Sequence, residues 1–455
     1  MQLVSKNPAT EEILATFDEI SEKEVEEKIQ NAHNAFLKWR ETSFQKRAEK
    51  LFLLANVLRD NIDEYGALIT KEMGKPITAS KNVEIEKCAW VCEYYAKNGE
   101  KFLTPEVVQT DASESYVRFD PLGVLLAVMP WNFPFWQVIR FAAPALMAGN
   151  VGLVKHASNV PQSGRALHEA FEKAGFPKDV YQNLLIGSDK VEAIITNPLV
   201  KAVTLTGSEG AGSAVASIAG REIKKTVLEL GGSDPFIILE DADVNAACFA
   251  GAASRLQSVG QSCIAAKRFI VVGSCFEEFL EVFKKKFESE VIGDPMDEKT
   301  TVGPVSSMRA MEEILSQVEK SVDMGAKIAT GGKRYGLRGA FIEPTILYDV
   351  CPGMPAYDEE IFGPVASVIV VKNADEAVAV ANSSPYGLGG SLWTKDIEKA
   401  KKMAEKIDSG AVFINGMTKS DPRLPFGGVK KSGYGRELSR HGIMEFINVK
   451  SIWIK

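Results

Sequence analysis

Cysteine is scarce in this chain. Cys88, Cys92, Cys248, Cys263, Cys275 and Cys351 are spread over 455 residues, at spacings that make neither a disulfide framework nor a zinc-finger pattern. Free thiols and a cytoplasmic setting are therefore expected, and no metal site is. Histidine is scarcer still, with only His33, His156, His168 and His441. Basic runs are missing and the net charge is −7, which argues against a nucleic-acid partner, since a phosphate-tracking surface shows as clustered Lys and Arg. The opening MQLVSKNPATEE has neither an apolar signal core nor an Arg-rich transit pattern. The longest uncharged run, the 19 residues 121–139, reaches membrane-spanning length. Pro121, Pro130 and Pro134 fall inside it, with Gly123, Asn132 and Gln137, and prolines so spaced stop a continuous helix. The run reads as a buried strand, a loop and a helix, with no membrane partner. Repeats and low-complexity tracts are absent as well.

What is present is globular. Apolar residues make up 45% and charged residues 25%, near soluble averages, and single cores stop growing at about 250–300 residues, so more than one domain is expected. Residues 21–39 and 43–60 carry apolar positions at helical spacing, and 61–100 continue in that style. They predict an opening helical layer, in which Cys88 and Cys92 share one packed helix face beside Trp90 and Tyr94. From residue 123 short apolar runs alternate with helical patterns: GVLLAVM, helix 136–148, VGLVK, helix 161–174, YQNLLIG, helix 189–196, KAVTLTG, helix 210–219 and KKTVLELGG. This alternation predicts a doubly wound parallel sheet with right-handed crossovers. No G-x-G-x-x-G fingerprint occurs. The nearest candidate phosphate turn is Gly207-Ser208-Glu209-Gly210-Ala211-Gly212, after the strand VTLT. A second alternation, from PFIIL at 235–239 to GAVFIN at 410–415, predicts a second α/β lobe, followed by a Gly- and Pro-rich ordered loop at 420–437. The terminal strand VKSIWIK and the extended piece SESYVRFD at 113–120 have no evident sheet in either lobe, so their edges are expected to be covered by a partner subunit.

Four motifs in order need one explanation: PWNFP at 130–134, LELGG at 228–232, GQSC at 260–263 and EEIFGP at 359–364. Together they resemble the aldehyde dehydrogenase superfamily, along nearly the whole chain. The resemblance implies two doubly wound α/β lobes and a small β oligomerisation arm. A Rossmann-like coenzyme-binding domain would comprise 1–108 and 122–232, a catalytic domain 233–422, and the arm 109–121 and 436–455. A homodimer or homotetramer is implied. Cys263 would be the nucleophile that forms a thiohemiacetal and then a thioester, its thiol pKa lowered by the site. Glu229 would be the general base that activates the thiol or the hydrolytic water, since none of the four histidines occupies a catalytic position of the family. The side-chain amide of Asn132 and the backbone N–H of Cys263 would form the oxyanion hole.

A nicotinamide coenzyme is implied likewise. Lys155 and Glu360 would contact its riboses, Phe362 would lie beside the nicotinamide, and Gly207 and Ser208 would approach the phosphates. Gly187, Leu230, Trp131 and Asn132 would line the cleft. NAD-preferring relatives often carry Glu three residues after that lysine, where its charge would repel a 2′-phosphate; this chain has Ser158. NADP is therefore expected, with NAD use open. Within the superfamily, TGSEGAG, LELGGSDPFIIL, GQSCIAAKRF and SDPRLPFGGVKKSGYGREL look most like the shorter succinate-semialdehyde dehydrogenases. Such a substrate carries a carboxylate remote from its aldehyde. Arg140 and Arg423 are candidate cations for it, with Ser262 and Ser420 as hydrogen-bond donors and Trp136 nearby. Longer relatives carry Arg six residues before the nucleophile, where this chain has Gln257, so another cation must serve. Lactaldehyde, glyceraldehyde and glutarate semialdehyde stay open as substrates. A CoA-acylating enzyme is the rival from another class, against which Glu229 argues because such relatives generally lack that base.

Overall fold

Runs rich in Val, Leu and Ile that are covered on both faces form parallel strands. In the computed structural model, which describes residues 2–455, such runs make two central sheets. In the first, Lys225–Glu229, Val200–Thr206, Val124–Val128, Val151–Lys155 and Tyr181–Asn183 lie side by side and parallel. Gly433–Tyr434 joins its edge antiparallel to Lys225–Glu229. The chain leaves Val124–Val128 to one side and returns on the other, so a topological switch point lies between this strand and Val200–Thr206. Open α/β sheets hold ligands at such points, at the carboxyl ends of the strands.

The second sheet is built around Asp234–Ile238, with Ala266–Val272, Val365–Val371 and Thr345–Tyr348 on one side and Ser391–Trp393 and Phe413–Ile414 on the other, all parallel. Lys327–Thr330 closes one edge antiparallel. Each sheet has its own apolar core. One runs from Val25 to Leu230 and takes in Phe426, Leu438 and Phe446; the other runs from Phe236 to Ile407. Only Leu230, Gly231, Gly232 and Ser233 separate the last of the first sheet's parallel strands from the first strand of the second.

The opening differs from the expected helical layer. A hairpin of Gln2–Lys6 and Ile13–Asp18 precedes the helices Glu22–Trp39, Phe44–Asp60, Ile62–Met73 and Glu86–Phe102. Its strands are short and mix polar with apolar residues, so no apolar run marks them. A π-helical turn, Ser80–Ile85, interrupts the last stretch of helix, a feature frequent at functional sites. Cys88 and Cys92 are buried in the first core. The extended piece and the terminal strand pair with each other: Ile447–Ile454 runs antiparallel to Glu114–Pro121, and Glu106–Val107 lies beyond it. The outer edge of Ile447–Ile454 has no partner among the described residues, and Val449, Trp453 and Ile454 are exposed there. Among the described residues no helix is long and apolar enough to cross a membrane.

The 420–437 loop is tied to both lobes, through Val429–Lys430 on Tyr386–Gly387 and through Gly433–Tyr434 on Lys225–Glu229. Gly433 has φ +109, and an added Cβ would collide with the carbonyl oxygen of Leu228. Gly433→Ala is expected to destabilise the fold by about 1–3 kcal/mol, read as a lower midpoint of urea unfolding. An unchanged midpoint would show that the tie bears no load.

Candidate active site

The segment before Cys263 is strained. After the helix Val244–Leu256, Ser258, Val259 and Gly260 have φ of 50, 60 and 75°. Three left-handed residues in a row, one of them β-branched, are unfavourable on their own. They are held by burial and by Arg255, whose Nη2 donates to the Gly260 carbonyl at 2.5 Å. A side chain at Gly260 would collide with the backbone of Gly363. This turn delivers Cys263, half-buried, to the amino end of Ala266–Val272. Lys267 Nζ then gathers the carbonyls of Ser262 and Cys263, both at 2.9 Å, and of Ala265 at 3.3 Å. The same ammonium pairs with Glu360 at 3.2 Å, and Glu360 also accepts from the Gly232 N–H at 3.1 Å. Lys267 was not anticipated, although it stands four residues after Cys263 in the quoted GQSCIAAKRF.

Asn132 is buried, and its Nδ2 donates to the Gln261 carbonyl at 2.9 Å. An amide carries two N–H donors, so one remains for a reacting oxygen. No hydrogen bond among the described residues engages the Cys263 N–H.

The expected acidification of the thiol is not met. Burial pushes Cys263 up to about 12, and Arg140 and Lys267 offset only part of this. Lowering a thiol needs uncompensated positive charge, whereas Arg140 is paired with Glu437 and Lys267 with Glu360. Glu229, at the end of Lys225–Glu229, is buried with neither carboxylate oxygen hydrogen-bonded. Burial first, then repulsion from Glu437, holds it well above the usual carboxylate range, against the pull of Arg140 and Arg436. Glu437 is raised by burial too. Glu229 faces Gly427, where a Cβ would lie 2.7 Å from its Oε1, and it does not line the pocket that holds Cys263. Arg140 acts on both groups, but no hydrogen bond joins them.

Cys263 opens on a narrow cavity of about 40 Å³ whose walls include Lys87, Trp136, Arg140, Gln257, Ser262 and Ser420. Arg423 is absent from these walls, which corrects its candidacy. Its exposed guanidinium grips Asp421 through Nε at 2.9 Å and Nη2 at 2.6 Å. Arg140 is present but paired with Glu437, its guanidinium lying 4.5 Å over the Phe426 ring. Lys87 had gone unremarked in the sequence, one lysine among many on a Glu- and Lys-rich helix.

Most residues expected around a coenzyme lie at the carboxyl edge of the first sheet, whereas Glu360 and Phe362 come from the second lobe, before Val365–Val371. Lys155 ends Val151–Lys155, buried, with no carboxylate in ion-pair range among the described residues, and burial lowers its pKa. Glu19 and Asp189 act on it from further away, and Glu19 is itself paired with Lys190 at 3.0 Å. Ser158 is exposed, and Gly187 is buried at the turn after Tyr181–Asn183. Gly207 precedes Ser208, whose hydroxyl caps the helix Glu209–Arg221 by accepting from the Ala211 N–H at 3.3 Å. Leu230 is buried at the crossing between the sheets. Trp131 and Phe362 meet edge to face at 5.9 Å and, with Glu360, line one open groove. A buried cation without a counter-ion, an exposed hydroxyl and a capped helix start fit the phosphates of a dinucleotide.

A doubly wound parallel sheet thus stands beside a second α/β lobe that carries a half-buried cysteine. The chain belongs to the aldehyde dehydrogenase family, whose family model matches residues 2–452. It is 51% identical over 454 residues to a probable NADP(+) succinate-semialdehyde dehydrogenase of Synechocystis sp., and 50% identical over 457 residues to NADP(+) succinate-semialdehyde dehydrogenase 1 of Mycobacterium tuberculosis, with 100% of both chains covered in each case. A crystal structure of succinic semialdehyde dehydrogenase from Streptococcus pyogenes with NADP+ superposes with a TM-score of 0.97 at 41% identity, over 99% of either chain. The chain is thus an NAD(P)-dependent enzyme of aldehyde oxidation with the fold of that family.

A thiol held high has a measurable consequence. In coenzyme-free protein, the rate at which iodoacetamide inactivates the enzyme is expected to rise about tenfold per pH unit between pH 7 and 10. A plateau below pH 8 would reveal an acidic thiol and overturn this picture of the resting site.

Proposed function

We propose that the protein oxidises succinate semialdehyde to succinate, with NADP⁺ and water consumed and NADPH released. The observation that carries this reading is a cysteine at the wall of a narrow, cation-lined cavity, in a chain half identical along its length to NADP(+) succinate-semialdehyde dehydrogenases. A cavity of that size favours a small linear aldehyde over a bulky one.

Cys263 Sγ gives its proton to a base and adds to the aldehyde carbon, forming a thiohemiacetal. Asn132 Nδ2 and the Cys263 N–H hold the developing oxyanion, and losing one such donor typically costs about 2.7–4 kcal/mol in the barrier. Lys155 and Glu360 would hold the riboses, Lys155 with Ser158 the 2′-phosphate, and Gly207 with Ser208 the pyrophosphate. Trp131 and Phe362 flank the nicotinamide side, with Gly187 and Leu230 as walls. When bound, the coenzyme supplies the acceptor for the hydride that the thiohemiacetal carbon releases. Glu229, once its carboxyl has given up its own proton to solvent, takes a proton from water, whose oxygen attacks the thioester carbon and frees the thiol with the acid. Because Glu229 faces Gly427, this role requires its side chain to swing toward Cys263. Ser158 stands in place of an acid and Glu19 is paired with Lys190, which leaves Asp189 as the carboxylate acting on Lys155 without an ion-pair partner among the described residues.

The two apolar cores support a coenzyme-binding domain of 1–108 and 122–232 and a catalytic domain of 233–422, and the pairing of Ile447–Ile454 with Glu114–Pro121 supports an arm of 109–121 and 436–455. The unpaired outer edge of Ile447–Ile454 supports a homo-oligomer built through that arm. A cytoplasmic location suits a nucleophile that must stay a free thiol.

A kcat/KM panel of succinate semialdehyde, lactaldehyde, glyceraldehyde and propanal with either coenzyme is expected to favour succinate semialdehyde and NADP⁺, and a preference for propanal would overturn the substrate assignment. Cys263→Ala should abolish turnover while NADP⁺ still binds; retained activity would remove Cys263 as the nucleophile. By light scattering, the full chain should have two or four times the mass of one 49.6 kDa subunit, and truncation after Phe446 should lower it. A monomeric full chain would exclude the arm as an interface.

A further inference from the structure

The cations near the substrate cavity are not equivalent. Lys75, just behind it, is fully buried and paired with Glu84. Glu84 also accepts the Phe135 and Trp136 N–H groups at 2.8 and 3.1 Å. Arg140 is paired with Glu437. Lys87, on the helix Glu86–Phe102 directly after the π-helical turn, lines the same cavity as Cys263 and has no carboxylate in ion-pair range among the described residues. Its Nζ lies 4.3 Å from the centre of the Trp136 ring and donates to Ser420 Oγ at 2.5 Å. An ammonium has three donors, and a hydroxyl that accepts one bond keeps its own proton to give. Gln257 Nε2, buried and without a partner, belongs to the same walls.

Lys87 is half-buried, and a cation partly withdrawn from water gains from an anion brought to it. The arrangement lacks one negative charge, and the cavity is where it would sit. We propose that Lys87, with Ser420 donating beside it, binds the carboxylate of the aldehyde substrate and sets the preference for a carboxylated aldehyde. The assignment deepens the succinate-semialdehyde reading and rests on it. The surroundings agree: burial first, then Arg140, lowers Lys87 to about 8, while Asp421 and Glu84 pull weakly the other way. An arriving carboxylate would restore its full charge.

The test compares the wild type, Lys87→Met and Lys87→Arg at pH 7 on succinate semialdehyde and on butanal, with succinate as a competitive inhibitor of butanal oxidation. Lys87→Met should lose about 30- to 100-fold in kcat/KM for succinate semialdehyde, mostly through KM. It should keep butanal turnover within about threefold and lose succinate inhibition by a similar 30- to 100-fold factor. Lys87→Arg should retain part of both. Equal losses on the two aldehydes, or an undiminished preference with intact succinate inhibition, would overturn the role of Lys87. A wild type that does not prefer succinate semialdehyde over butanal would overturn the substrate reading instead. Loss of succinate inhibition in Lys87→Met would still support carboxylate binding by Lys87 in that case, and its persistence would refute it.

Discussion

The four residues from Leu230 to Ser233 hold the enzyme's working parts together. They carry the chain from the carboxyl edge of one sheet to the amino edge of the other, and a fully extended chain covers at most about 18 Å between Glu229 and Asp234. The switch-point cleft of the first sheet therefore cannot move far from the turn that presents Cys263 on the second. Ties at the same crossing shorten it further. Gly232 donates to Glu360, Glu360 pairs with Lys267, and Lys267 holds the carbonyls of the Cys263 turn. A residue expected to meet the coenzyme ribose and the loop that carries the nucleophile are thus linked through one buried ammonium.

Buried charges around this crossing are met in more than one way. Lys75 with Glu84, Arg140 with Glu437 and Lys267 with Glu360 pair internally, whereas Arg255 has only the Gly260 carbonyl as a hydrogen-bond partner among the described residues. Removing one member of such a pair leaves an uncompensated buried charge, at a typical loss of about 3–5 kcal/mol. Lys155 and Lys87 have no such partner, and they lie at the two places where anionic groups of coenzyme and substrate are expected. Glu229 and Asp234 are acids buried without an ion-pair partner among the described residues, and burial raises both above the usual carboxylate range.

The strands and helices of both lobes were legible because their apolar runs have the period and length of buried parallel strands and packed helices. The opening hairpin was not, since strands of five and six residues with polar faces leave no run to detect. Cys263, Glu229, Asn132 and Glu360 could be picked out because their motifs are contiguous. Lys87 and the Arg140–Glu437 pair could not: their partners are separated by hundreds of residues, and pairing decides whether a cation is free to meet a ligand. From sequence, Arg140 and Arg423 are equally candidate substrate cations or structural ion-pair partners. In the fold Arg140 pairs with Glu437 inside the protein and Arg423 with Asp421 on the surface. The state of the thiol is illegible for the same reason, because sequence does not show which nearby cations carry counter-ions.

Pairing Arg140 with Glu437 also shapes selectivity. A free guanidinium in the cavity would draw a substrate carboxylate toward itself and compete with Lys87, and two registers of binding would place the aldehyde carbon at different distances from Cys263. Proximity effects in catalysis depend steeply on that distance. With Arg140 paired to Glu437, Lys87 is the cavity cation that has no carboxylate in ion-pair range among the described residues. Burial raises both Cys263 and Glu229, and the pull of Arg140 offsets only part of it.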